Sequence, residues 1–110
     1  MIVEIDLGES RRVSRVSMNF LRDFVSWIFL PENVRIEVSA NGREYRQVAV
    51  AENIITDRSF GVEPVYHSLA FAPVNARYIK VKAQSMKRCP DWHRGSGQPS
   101  WIFCDEIIVE

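Results

Sequence analysis

Asp91-Trp92-His93-Arg94 places a carboxylate, an indole, an imidazole and a guanidinium side by side. The four residues lie within Cys89–Trp101, a stretch punctuated by Pro90, Gly95, Gly97 and Pro99 that also holds Gln98 and Trp101. Glycine and proline break regular structure there, so the segment reads as a loop carrying large polar-aromatic side chains. Two chemistries fit. Asp91 and His93 together form a fragment of acid–base machinery, although such a pair is more often a turn cap beside an exposed histidine. A sugar ring presents apolar C–H faces edged with hydroxyls, so an exposed indole flanked by Asp91, His93, Arg94 and Gln98 supplies what it needs. Trp27, Phe24, Arg22 and Asp23 offer a second wall from another loop.

The remaining reactive residues argue against catalysis. His67 and His93 are distant in sequence, and no serine or cysteine sits in a recognisable nucleophile context. Asp105 and Glu106 adjoin on a strand and face opposite ways, so they do not flank one bond. Cys89, His93 and Cys104 lack the spacing of a zinc site. The two cysteines either form a single bridge or remain free thiols, and the sequence leaves both open.

The elements behind these residues alternate with period two. Val3, Ile5 and Leu7 oppose Glu4 and Asp6, and Gly8 ends that strand. Over Arg12–Phe20, Val16, Met18 and Phe20 turn inward against Arg15, Ser17 and Asn19. Val34, Ile36 and Val38 alternate with Arg35, Glu37 and Ser39, and Asn41-Gly42 then signals a hairpin returning through Glu44–Val50 with Tyr45 and Val48. A short strand is expected at Asn53–Ile55. Val65–Phe71 and Arg77–Ala83 are strands separated by a turn at Pro73–Asn75, and His67 is structural or solvent-facing. Arg77 reads as a salt-bridge or bracing residue. Trp101–Val109 closes the chain as a strand covered on both faces, with Trp101 and Phe103 in the core.

No segment has a long 3.6-residue amphipathic pattern, so the chain is all-β, an antiparallel β-sandwich. At 110 residues it is a single domain, 1–110. Fourteen basic residues balance fourteen acidic ones, which leaves no cationic excess for a nucleic-acid backbone. No apolar run approaches a membrane span, and the opening lacks the basic and apolar regions of a signal peptide. A strand beginning at the second residue suggests a piece of something longer. Ser-Trp-Ile-Phe occurs at Ser26–Phe29 and again at Ser100–Phe103, without the spacing of a repeat architecture. The loops Leu21–Pro31 and Met86–Trp101 both run into it, which would place them at one end of the sandwich.

Val3-Glu-Ile-Asp-Leu-Gly8, Val34-Arg-Ile-Glu-Val-Ser39 with Asn41-Gly42 and Tyr45, Ala76-Arg-Tyr-Ile-Lys-Val81 and Asp105-Glu-Ile-Ile-Val109 resemble, in that order, a discoidin domain. This is the coagulation factor V/VIII type C, galactose-binding-like family, and it implies a jelly roll. Ser26-Trp-Ile-Phe-Leu-Pro31, Cys89-Pro-Asp-Trp-His93 and Ser100-Trp-Ile-Phe103 are similar to one subset, the C-terminal modules of family 20 glycoside hydrolases (β-N-acetylhexosaminidases, chitobiases) of Bacteroides-type bacteria. The resemblance implies a non-catalytic carbohydrate-binding module, a C-terminal fragment of a larger enzyme that is periplasmic, cell-surface or secreted. Its partners would be an N-acetylhexosamine- or galactose-containing glycan and the parent's catalytic domain. Ligand would meet Trp92, His93, Arg94, Asp91, Trp27 and Phe24 at one end of the sandwich. Relatives carry one more strand before the Asp-Leu-Gly strand, with a loop that often feeds a structural calcium. The chain starts after that loop, so an exposed edge is expected. Asp105 and Glu106 cannot supply six or more oxygen ligands, so no cofactor is expected.

Two other readings compete. One is a structural module whose loop aromatics are buried against the catalytic domain. The other is a protein- or lipid-headgroup binder, which the neutral charge disfavours.

Overall fold

The structure is a computed structural model and describes residues 1–23, 26–52, 63–86, 89, 95 and 97–110. The expected strand at Asn53–Ile55 lies outside them. Among the described residues five strands form: β1 (Ile2–Arg22), β2 (Asn33–Ser39), β3 (Arg46–Glu52), β4 (Glu63–Gln84) and β5 (Cys104–Val109). They form one antiparallel sheet in the order β3-β2-β4-β1-β5. The fold is all-β, as the period-two pattern predicts.

β1 and β4 are twice as long as their alternation suggests, and Gly8 and Pro73–Asn75 interrupt rather than end them. A straight strand of β4's 22 residues would reach roughly 70 Å, yet the longest dimension is 46 Å. The spine must bend. It does so where the β1–β4 register slips, between Asp6 and Arg11 and between Val13 and Arg15. Gly8 supplies a φ of 85° at the first corner, and its N–H donates to Asp6 Oδ1 at 2.8 Å. At the second, the N–H groups of Ser14 and Arg15 both donate to the Glu110 carbonyl, at 2.8 and 3.1 Å. Two successive donors on one acceptor mark a β-bulge. It shifts the inward positions from Val13 to Val16, Met18 and Phe20.

The bends fold the sheet into two halves, β3-β2-β4-β1 and β4-β1-β5, which close on one core. Val34, Ile36, Val38, Ile79, Val81 and Ala83 line one side, and Val13, Val16, Met18, Phe20 and Leu69 the other. Each large buried side chain contributes about 1.5–3 kcal/mol. His67, half-buried, sets its ring edge-on to Phe20 with centroids 5.1 Å apart. The outer edge of Ile2–Leu7 pairs with no strand among the described residues.

Three outward or inward assignments change. Ser17, expected outside, is buried, and its hydroxyl donates to Ser68 Oγ at 3.2 Å while Arg15 Nη1 donates to the same oxygen at 2.6 Å. The last strand begins at Cys104, so Trp101 and Phe103 stand outside the core, 65% and 52% exposed. A second bulge explains Phe103. Phe20 pairs with Cys104 and Met18 with Ile107, which leaves Asp105 and Glu106 opposite Asn19 alone. Cys104, Ile107 and Val109 therefore face the core, while Phe103, Asp105, Glu106 and Ile108 are exposed, so β5 is covered on one face only.

Asn41-Gly42 does turn a hairpin, through residues 40–45 rather than a two-residue loop. Ser39 Oγ accepts from Gly42 N–H at 2.9 Å, and Asn41 Oδ1 accepts from the N–H groups of Arg43 and Glu44 at 2.9 and 3.0 Å. Gly42 is required twice over: its φ is 77°, and a Cβ would lie 3.3 Å from the Tyr78 ring.

Candidate functional site

The strand ends that bound the links β1–β2, β3–β4 and β4–β5 gather at one end of the sheet. They are close neighbours: Asn33 pairs with Glu52 and Gln84, Arg22 with Glu63, and Phe20 with Cys104. The two Trp-Ile-Phe segments meet there. Phe29 N–H donates to the Trp101 carbonyl at 2.9 Å, and Trp101 N–H donates to the Trp27 carbonyl at 2.8 Å. Ile28 and Trp101 form a parallel bridge. The expectation that both loops share one end is met at the level of the backbone.

The first loop is a tight excursion closed by Asp23 and Ile28, whose N–H and C=O groups pair in both directions at 3.0 and 2.9 Å. Asp23 also accepts the Ser26 N–H at 3.3 Å, so its carboxylate is used in the turn. Trp27 leaves the loop with φ 61°, a left-handed conformation that a bulky residue adopts only when its surroundings hold it. It packs, half-buried, with Met86 against buried Phe29 and Cys89, a small cluster apart from the main core. Arg22, assigned to the same wall, is buried.

The second loop is pinched at its base. Cys89 N–H donates to the Gln98 carbonyl at 2.7 Å, and Gly97 N–H donates to the Cys89 carbonyl at 3.2 Å. These bonds tie the described ends of the loop, Cys89 and Gly97-Gln98, to one another beside Phe29. Asp91, Trp92, His93 and Arg94 fall within that loop and, with Phe24, lie outside the described residues. Of the assigned ligand contacts, the structure describes Trp27.

Trp101 is the aromatic that sequence reasoning missed. Its backbone joins the two loops and its indole is exposed. The repeated Ser-Trp-Ile-Phe was the available signal, but the first copy packs its tryptophan while the second presents it. Ser100 Oγ beside it is buried without a hydrogen-bond partner among the described residues.

Both cysteines are free. Burial pushes the Cys89 and Cys104 thiols up from their ordinary value, which keeps them protonated. Among the described residues no group of three or more His, Cys, Asp or Glu could hold a metal ion. Asp105 Oδ1 accepts the N–H of Glu106 at 2.5 Å. At the opposite corner Arg77 clamps Asp6 through Nε and Nη2 at 2.8 and 3.0 Å. That contact, then the Gly8 N–H, lowers the Asp6 carboxyl to about 2. Arg77 is thus a salt-bridge residue.

The fold and this end of it define a jelly-roll module built to present loops from one pole of a rigid sandwich. The chain belongs to the F5/8 type C domain family, which it matches over residues 2–104. No curated protein matches it significantly. Among solved structures it is similar to CpGH89CBM32-5 from Clostridium perfringens, determined in complex with GalNAc-β-1,3-galactose. The identity is 16% with a TM-score of 0.58, over 98% of this chain and 63% of that one. It is also similar to CBM32-3 from a family 31 glycoside hydrolase of the same organism, at 16% identity and TM-score 0.47, over 76% of this chain and 55% of that one. The chain thus spans less than two thirds of either neighbour.

Proposed function

We propose that the domain is a non-catalytic carbohydrate-binding module of a larger, secreted or surface-held glycoside hydrolase of the β-hexosaminidase or chitobiase type, as in Bacteroides-type bacteria. It would hold a glycan containing N-acetylhexosamine or galactose at the loop end and keep the catalytic domain near it. The observation that carries this reading is the exposed Trp101 indole, fixed by backbone bonds between the two loops. An aromatic held open on a rigid support meets the C–H face of a sugar at little entropic cost. Trp92, His93, Arg94, Asp91, Trp27 and Phe24 complete the proposed contacts, with the polar members addressing hydroxyls. The neighbour bound to GalNAc-β-1,3-galactose supports the ligand class. No metal takes part, so chelation with EDTA leaves binding unchanged.

The test is a titration of the domain with N-acetylglucosamine, galactose and chitooligosaccharides, read by tryptophan fluorescence and NMR. Saturable shifts at Trp101 and the Cys89–Gln98 loop are expected; silence toward every sugar at millimolar concentration would overturn the reading. A structural module packed on the catalytic domain would give that silence. It has one observation in its favour: Tyr66, Phe103 and Ile108 are exposed together on the outer face of β4-β1-β5.

A further inference from the structure

The outer face of the other half-sheet carries an unbalanced charge arrangement. Val50, Arg35, Lys82 and Ile2 lie in one row across β3, β2, β4 and β1, each opposite the next. Arg35 and Lys82 are therefore like charges placed directly across a strand pair, which is unfavourable unless an anion intervenes. Lys82 has one, Glu37, with Nζ 3.0 Å from Oε2. The Arg35 side chain makes no hydrogen bond or ion pair among the described residues. Both cations line a cleft of about 360 Å³ with Ile2, Asn33, Gln84 and Ser85. Asn33 Nδ2 donates to Gln84 Oε1 at 2.9 Å, which fixes the two amides and leaves an acceptor on one and donors on the other. Ile2, 69% exposed, adds an apolar wall.

We propose that this cleft is a second binding site, separate from the loop end, for a sugar unit bearing a carboxylate or sulfate. The anionic group sits on the Arg35 guanidinium, whose planar fork matches either oxyanion, while Lys82 is already neutralised by Glu37. The Asn33–Gln84 pair faces hydroxyls, and Ile2 meets the C–H face. The volume suits one or two sugar units rather than a polymer segment. The anion preference rests on the charge geometry alone; that a sugar carries it rests on the carbohydrate-binding reading above.

The test is NMR titration with glucuronate, N-acetylneuraminate and N-acetylglucosamine 6-sulfate, beside neutral glucose and N-acetylglucosamine, sodium acetate and sodium sulfate. The acidic sugars should shift the amides of Arg35, Asn33 and Ile2, and neutral sugars should not. Arg35→Gln, its fold checked by circular dichroism, should weaken acidic-sugar binding by about tenfold. The glucuronate-induced shifts of the Arg35, Asn33 and Ile2 amides should saturate without any shift at the Trp101 amide, which separates this site from the loop end. The proposal is overturned if acidic sugars shift nothing in the cleft, if Arg35→Gln binds them as well as wild type, or if acetate or sulfate alone binds as tightly as the acidic sugars.

Discussion

The N–H of Trp101 donates to the carbonyl of Trp27 at 2.8 Å, so an exposed indole is anchored by a residue in left-handed conformation. Each tryptophan serves the other. Trp27 packs and sets the direction of its loop; Trp101 uses that direction to stand free.

Removing the Trp101 ring should therefore act on binding and not on stability. Trp101→Ala is expected to weaken any sugar response by tenfold or more, about 1.4 kcal/mol. Its thermal midpoint should stay within a degree or two of wild type, because the side chain lies mostly in water. A large fall in midpoint would show that the ring is structural. Trp92→Ala run alongside tests whether the loop tip shares the platform.

At position 27 the order of the usual substitutions should invert. Both Trp27→Ala and Trp27→Gly lose the contact with Phe29 and Cys89, but only glycine adopts φ 61° without cost. Urea denaturation should find the glycine variant more stable than the alanine variant by about 1 kcal/mol. Equal midpoints would mean that the loop relaxes out of the left-handed conformation.

Acid should loosen the corner at Asp6. Its carboxyl titrates at about 2 when folded, below the ordinary carboxylate value of 3.8. Stability from this group is fully present above about pH 4 and is lost as pH falls toward 2. Asp6 is solvent-exposed, so the loss is a modest part of the acid response. Thermal midpoints between pH 5 and 2.5 should fall less steeply in Arg77→Ala than in wild type; parallel curves would place the acid sensitivity elsewhere.

The two thiols should separate by access. Cys104 lies half-buried on an edge strand and Cys89 is buried, and burial holds both thiols protonated. A thiol reagent at pH 8 should modify Cys104 slowly and Cys89 only after denaturant is added. Fast labelling of both would show that the Phe29–Cys89 cluster opens readily.

The strands facing the core were legible because Val16, Met18 and Phe20, Val34, Ile36 and Val38, and Ile79, Val81 and Ala83 keep a strict period of two. The bulges were not. A bulge leaves no residue signature beyond a slip in alternation, so Gly8 and Pro73–Asn75 read as ends of strands that continue past them. The slip at Asp105-Glu106 likewise hid the outward turn of Phe103. At the candidate site the meeting of the two loops was legible from the repeated Trp-Ile-Phe. Which indole would be free depends on the chain direction after Trp27, and a positive φ on a tryptophan has no sequence code. Ser17 was read as outward by parity alone, which could not foresee a serine pair closing over it.

The spine joins residues that are far apart in sequence. Ile2 pairs with Lys82, and Val16 with Val109. The half-sheet β3-β2-β4-β1 cannot close before β4 exists, nor β4-β1-β5 before β5, so the early half of β1 waits unpaired until residues 78–82 have been synthesised. Contacts of such long separation place folding in the slow, millisecond-to-second class. During that interval an unpaired apolar strand is open to intermolecular pairing. Low expression temperature or a chaperone should therefore raise the soluble yield more than any substitution in the loops.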